Sequence, residues 1–233
     1  MIDLVRRWNA LKIRCLVLDH DDTLIESGKM INYPAMIEGL KKKRPQIELS
    51  YGQFCELCYA YNYTGMCRLC LGMTDEEIEE QYIFWKEYVR THIPPVFSGM
   101  TDILKEFRKR GGLICVSSHS GEENIRRDYE KYLGFLPDGI YAWELGEELR
   151  KPHPYALLNI MERFDLKPHE LLMVDDMGTG RDMAMACGVP FACAGWSHES
   201  ELIRSDMKKT SNLYFETVKE FWNYLFEDLT DMI

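Results

Sequence analysis

Leu16-Val17-Leu18-Asp19-His20-Asp21-Asp22-Thr23-Leu24 is an aliphatic run that breaks abruptly into acids, a histidine and a threonine. Short β-branched and aliphatic stretches bounded by charge, here residues 13–18, read as buried β-strands. The C-terminal end of that strand carries Asp19 and, two residues on, Asp21. Open α/β sheets place their chemistry at that end of their strands. A carboxylate there is a candidate nucleophile, and a second acid beside it a candidate proton carrier. His20 projects opposite to both, because side chains alternate along a strand.

The same signature recurs at Leu113-Ile114-Cys115-Val116, Ile140-Tyr141-Ala142-Trp143, Leu171-Leu172-Met173-Val174 and Phe191-Ala192-Cys193-Ala194. Helical periods lie between these runs: 101–110, stopped by Gly111-Gly112, then 122–133, 154–164, 179–187 and 217–228. The alternation predicts βαβ units and an α/β fold, a Rossmann-like parallel sheet core. Between the first two strands the rhythm stops. Helices are expected at 34–43, at 50–61 and after the capping box Thr74-Asp75-Glu76-Glu77, which opens a stripe of Ile78, Tyr82, Trp85 and Val89. The expected organisation is a core of residues 1–27 and 96–233 with an inserted all-helical cap domain, 28–95, over the strand ends. Pro94-Pro95 marks its exit.

A chain of 233 residues, 46% of them hydrophobic, can fill a sizeable core. Its net charge of −10 disfavours nucleic acid and anionic membranes as partners, so an anionic small substrate needs a local cation. No apolar run reaches the roughly 18 residues of a membrane span. The N-terminal MIDLVRRWNALKIRCLVLDHDD has no signal-peptide pattern, so the expected location is cytoplasmic. Eight cysteines then read as thiols. Cys55, Cys58, Cys67 and Cys70 have a spacing that can supply four thiolates to a structural zinc. Their helical, aromatic surroundings favour packed thiols instead, while Gly65 between the pairs keeps zinc open. Lys41-Lys42-Lys43-Arg44 reads as a solvated helix end. The sequence is silent on oligomeric state.

Three further segments point to the place that Asp19 and Asp21 occupy. Ser117 and Ser118 follow the second strand, where a hydroxyl can donate to a phosphoryl oxygen. Lys151 stands in Leu149-Arg150-Lys151-Pro152-His153-Pro154, whose prolines fix the backbone just beyond it, and a lysine so held can neutralise a transferring phosphoryl group. Asp175 and Asp176 end another strand, ahead of Met177-Gly178-Thr179-Gly180. Adjacent carboxylates at a buried strand end repel unless a cation compensates them. Magnesium fits one or two carboxylates together with substrate phosphate.

On Asp19-His20-Asp21-Asp22-Thr23, Ser117, Lys151 before Pro152, and Asp175-Asp176, the chain resembles the haloacid dehalogenase-like superfamily. Its phosphatases carry a DxDxT motif, a Ser/Thr after the second strand, a Lys before a proline and an acidic pair. Residues 175–188 resemble the DDSxxGxxAAxxAG form of the branches with a helical cap, near phosphoglycolate phosphatase and β-phosphoglucomutase. Asp22 stands where glycine is usual and Met177 where serine is usual. The resemblance implies a magnesium-dependent phosphatase acting on a small phosphorylated metabolite. Mg2+ would be held by the Asp19 carboxylate, the Asp21 carbonyl and Asp175/Asp176, with Asp19 as nucleophile and Asp21 as acid and base. Ser117, Ser118 and Lys151 would hold the phosphoryl oxygens, and Thr23 would order the loop. The second aspartate argues against a dehalogenase. A phosphomutase of the β-phosphoglucomutase type and a non-catalytic, zinc-stapled binding protein are the alternatives. His119 and His198 read as rim residues, and Tyr82, Phe84 and Trp85 as cap core.

Overall fold

The computed structural model describes residues 13–226. Residues 1–12 and 227–233, which include the N-terminal segment read for targeting and the end of the helix expected at 217–228, lie outside the described residues. Six strands, β1 (Cys15–Leu18), β2 (Leu113–Ser117), β3 (Gly139–Tyr141), β4 (Leu171–Asp175), β5 (Phe191–Ala194) and β6 (Leu213–Phe215), form one parallel sheet in the order β3-β2-β1-β4-β5-β6. The strand order reverses beside β1. In a doubly wound sheet that reversal leaves a crevice outside the carboxyl ends of β1 and β4.

Between β1 and β2 the described chain is helical. A π-type turn, Gly28–Asn32, leads into α1 (Tyr33–Lys43), followed by α2 (Tyr51–Gly65), a second π-type turn (Met66–Cys70) and α3 (Asp75–Thr91). Thr74 caps α3 as expected: Glu77 N donates to Thr74 Oγ1 at 3.3 Å and Thr74 N to Glu77 Oε2 at 2.9 Å. Ser50 and Gln53 cap α2 in the same way. Asn62 leaves helical geometry (φ 56°, ψ 175°), so the regular part of α2 stops where the sequence predicts, and Asn62 Oδ1 restarts the turn by accepting from Gly65 N at 2.9 Å. Met36, Leu40, Leu49, Phe54, Met66, Cys67, Leu71 and Met73 form a separate apolar cluster for this segment.

The remaining helices are α4 (Met100–Lys109), α5 (Glu122–Leu133), α6 (Tyr155–Phe164), α7 (Gly178–Cys187), α8 (Glu201–Thr210) and α9 (Val218–Phe226). Alternation along β1 sorts them into two layers. Leu16 and Leu18 join a core with residues of α4, α5 and α9, whereas Cys15 and Val17 join one with residues of α6, α7 and α8. The strand expected to reach Trp143 ends at Tyr141, because the chain turns to follow the β2 loop: Ser118 N donates to Tyr141 O at 2.9 Å and Trp143 N to Ser120 O at 2.9 Å. α8 and β6 have no counterpart in the sequence reading. β6 is a three-residue edge strand and α8 fully buries only Ile203 and Met207, so neither leaves a strong periodic signal.

Candidate active site

Leu18 pairs with Val116 on one side and Val174 on the other. The next residues, Ser117, Asp19 and Asp175, therefore form a row across three adjacent strand ends about 4.8 Å apart. Asp19 N fixes the step by donating to Val174 O at 2.8 Å. Asp19, Ser117, Ser118, Lys151, Asp175 and Asp176 are all buried. Carboxylate oxygens of Asp19, Asp175 and Asp176 lie within 4.8 Å of one another. Lys151 Nζ spans the row, donating to Asp19 Oδ1 at 2.7 Å and Asp175 Oδ2 at 2.5 Å. Ser117 Oγ lies 3.9 Å from Met183 Sδ, and Ser118 Oγ accepts from Ser120 N at 3.1 Å. The side chain of Asp21 stands outside the carboxylate cluster and interacts with Ser27 and Ser120.

Five carboxylates share this region with one lysine, and four of them, Asp21, Asp22, Asp175 and Asp176, have raised pKa values. Burial raises Asp21, reinforced by the Asp19 charge. Burial pushes Asp22 up to about 7 against the Gly28 hydrogen bond, with the charges of Asp21, Asp19 and Glu26 adding to the rise. Asp175 rises to about 7 through burial despite Lys151, and Asp176 rises further through burial and the charges of Asp175, Asp22 and Asp19. Burial works against the Lys151 charge, but Asp175 and Asp19 outweigh it and hold the ammonium protonated. The site therefore has an uncompensated demand for positive charge.

Local geometry explains several residue choices. Asp22 has φ 56°, the left-handed conformation that suits glycine and that aspartate tolerates better than most residues. Its Oδ1 accepts from Gly28 N at 2.8 Å, and a Cβ on Gly28 would lie 2.1 Å from Asp22 Oδ2. Met177 at the serine position serves through its backbone, donating N–H to Asp175 Oδ1 at 2.8 Å. A Cβ on Gly180 would lie 2.2 Å from Asp175 Oδ2, so only glycine lets α7 start this close to the carboxylate. The buried His198 holds the main chain of the acidic pair, its Nε2 donating to Asp176 O at 2.6 Å. His119 Nε2 donates to Lys151 O at 3.0 Å. Thr23 does not order the loop through its hydroxyl, which is buried without a partner; its carbonyl accepts from Trp196 Nε1 at 3.2 Å.

Other expectations need correction. Among the described residues the candidate metal group is Asp19, Asp175 and Asp176, and the four cysteines of the helical segment form none. All four are free thiols, and Cys67 sits in the segment's apolar core while Cys70 is exposed, an arrangement that agrees with the packed-thiol reading. The basic run is engaged as well as solvated: Lys43 and Arg44 pair with Glu80 and Glu77 of α3, and Lys42 Nζ lies 4.4 Å from the Phe84 ring centre. Tyr82, stacked on Trp85 and tilted against Trp143 of the core at 5.9 Å, lies at a seam between the layers and not in the cap interior. The sequence reading missed the partners of His20, described below; the one signal was a histidine on the inward face of a buried strand.

A profile of the haloacid dehalogenase-like hydrolases matches residues 13–188. A phosphoglycolate phosphatase of Thiobacillus denitrificans is 26% identical over 208 residues, 81% of this chain and 86% of that protein. One from Pseudomonas putida is 27% identical over 135 residues, 53% of this chain and 46% of that protein. Among solved structures, a haloacid dehalogenase-like family hydrolase from Streptococcus pneumoniae superposes with a TM-score of 0.70 at 14% identity, covering 91% of this chain and 98% of that one. CbbY from Rhodobacter sphaeroides, in complex with phosphate, gives 0.66 at 15% identity, covering 88% and 94%. With the profile spanning the strand-end row from Asp19 to Asp176 and the same fold in those structures, the chain belongs to the haloacid dehalogenase-like hydrolase family.

Proposed function

We propose that this chain is a magnesium-dependent phosphatase that hydrolyses a small phosphorylated metabolite through an aspartyl-phosphate on Asp19. The observation that carries the reading is the buried row in which Lys151 bridges Asp19 and Asp175 beside Asp176. The names of the two curated relatives, both phosphoglycolate phosphatases, support the same class of substrate. The donor set fits magnesium: all ligand atoms are hard oxygens, and the raised pKa values of Asp175 and Asp176 mark charge that a divalent cation would relieve. Held by the carboxylates of Asp19, Asp175 and Asp176 and by the Asp21 carbonyl, the ion would screen the substrate dianion from the anionic nucleophile. Asp19 attacks phosphorus in line, forming an acyl phosphate as the ester P–O bond breaks. Asp21, its pKa raised by burial, delivers a proton to the leaving oxygen and then takes one from the water that cleaves the acyl phosphate. Lys151, Ser117 and Ser118 hold the phosphoryl oxygens where charge builds up.

The helical segment, taken as a cap over residues 28–95 on a core of 1–27 and 96–233, limits the site to small substrates. Its two connections run side by side: Glu26 N donates to Pro95 O at 2.9 Å and Phe97 N to Leu24 O at 3.0 Å. Free thiols fit a cytoplasmic location, and no described helix is long and apolar enough to cross a membrane. The test is phosphate release from a panel of small phosphate esters with magnesium, comparing the wild type with Asp19→Asn. The expected result is release by the wild type, lost with chelator and reduced about a thousandfold or more in the variant. Release that survives chelator or the substitution would overturn the mechanism.

A further inference from the structure

α5 joins the loop that carries Asp19 and Asp21 to the far end of the helical segment. His20 continues the face of Leu16 and Leu18, so it enters the layer that α5 covers, where its ring stacks on Tyr129 with centroids 6.2 Å apart. Its Nε2 lies 3.1 Å from Asp128 Oδ2, and both side chains are fully buried. From the other side Arg127 grips the same carboxylate with two prongs, Nε to Oδ1 at 2.8 Å and Nη2 to Oδ2 at 3.0 Å. Its remaining nitrogen, Nη1, donates to Val89 O at 2.9 Å. Val89 lies in the last turn of α3, where helix carbonyls have no partner of their own. Farther along α5, Tyr132 Oη donates to Pro94 O at 2.6 Å.

We propose that Arg127 and Asp128 are positioning residues for the reaction: through His20 they tie the nucleophile loop to the C-terminal end of α3. The kinetic part of this inference rests on the phosphatase reading. A purely structural histidine–aspartate pair needs nothing beyond its own hydrogen bond, and His20 Nδ1 is buried without a hydrogen-bond partner. Here the carboxylate is shared with a guanidinium that also holds a carbonyl of another segment, and charge-assisted hydrogen bonds in a buried network are short, directional and costly to leave unmade. His20 stands between the two acids in the chain, so a shift of its ring moves both. A misplacement of about 1 Å in such a site costs on the order of a hundredfold in rate.

The test uses the full chain with magnesium and p-nitrophenyl phosphate, alongside hydrogen exchange of the free protein. Arg127→Gln is expected to lower kcat about tenfold to a hundredfold with KM changed less than threefold. Exchange should rise together in 19–26 and 92–97. Arg127→Lys keeps the charge beside Asp128 but cannot grip both of its oxygens and Val89 O, so it should fall between the two. Tyr132→Phe, which frees Pro94 O without touching His20, should keep kcat within about twofold while exchange rises in 92–97 alone. An Arg127→Gln protein with kcat within twofold of wild type, or with exchange raised in α5 only, overturns the proposal. If the wild type releases phosphate neither from p-nitrophenyl phosphate nor from the ester panel, the phosphatase reading fails, and joint exchange in the two loops still decides the link.

Discussion

Along β1 every residue from Cys15 to Leu18 is fully buried, whereas along the 17 residues of α3 only Gln81 and Val89 are buried, and neither is completely so. The strand ends hold their carboxylates by burial and register: Asp19, Asp175 and Asp176 each follow directly on a paired, solvent-free residue. The helical segment is held by end caps, surface ion pairs and a modest apolar cluster of its own. Positions in the first region are fixed to fractions of an ångström by neighbours that cannot move, and those in the second by contacts that solvent can replace. Under the proposed function, reaction chemistry would belong to the first kind of structure and adjustment to different substrates to the second.

The contrast is broken most directly at Lys151. Lys151→Met removes the one cation that touches both Asp19 and Asp175. It should lower kcat/KM on a magnesium-activated ester by about 10²–10³-fold, the loss expected for one preorganised charge stabiliser. Trp85→Ala in the helical segment, whose Nε1 bonds only to Asn32 Oδ1 among the contacts described, should alter KM more than kcat. A Lys151→Met enzyme within tenfold of wild type would mean that the row is not the reaction centre.

Asp128 sharpens the comparison through pH. Burial raises its carboxyl pKa, but hydrogen bonds from His20 and Arg127 outweigh burial and hold it below the usual carboxylate range. A depressed folded pKa means the unfolded chain binds more protons as pH falls, so the contribution of Asp128 is complete above about pH 4 and is lost as pH drops through its folded value. Asp128→Asn leaves His20 and Arg127 without a charged acceptor and should cost about 3 kcal/mol at neutral pH. Urea unfolding against pH should show that deficit shrinking below about pH 4. A deficit independent of pH would assign it to packing alone.

Gly180→Ala tests how rigid the strand ends are. Asp175 is pinned by Lys151 and by Met177 N, so the new Cβ cannot be met by a swinging side chain. A loss of about 2 kcal/mol is expected, together with reduced activity, measured by thermal unfolding and ester turnover. At Gly52 of α2, where a Cβ meets nothing, the same change should be neutral or slightly stabilising because alanine favours helix.

This division also governs what the sequence made legible. Buried strands must be aliphatic runs, and their ends must carry the polar residues that face the crevice, so Asp19, Ser117, Asp175 and a parallel sheet could be read directly, whereas the order of its strands could not. Lys151 was readable from its prolines. The link from His20 to Asp128 was not, because 108 positions separate the partners and nothing local distinguishes a paired aspartate on an amphipathic helix from a solvated one. The cysteine spacing alone allowed a metal, but the aromatic surroundings favoured packed thiols, and the thiols go to different places, Cys67 inward and Cys70 outward. Spacing fixes a site only where the backbone between the residues is a tight turn.

The smallest effect is expected where the two regions meet. Glu56 and Tyr59 of α2 reach the core through Ser200 Oγ, which donates to Glu56 Oε1 at 2.6 Å, and through the Tyr59 hydroxyl, which donates to the Asp206 carboxylate. Lys29 adds a bond to Glu199 at 2.6 Å, with both side chains more than half exposed. The exposed Lys29–Glu199 pair contributes little, and each part-buried hydroxyl hydrogen bond about 0.5–1.5 kcal/mol. Tyr59→Phe combined with Ser200→Ala should therefore shift Tm by several degrees at most for a chain of this size. If the helical segment must lift to admit substrate, removing these bonds lowers the cost of lifting, so KM should fall or product release should quicken while the rate of phosphoryl transfer in a single turnover stays the same. A single-turnover rate that drops with the steady-state rate would place the seam inside the catalytic unit and erase the distinction between a rigid floor and an adjustable cover.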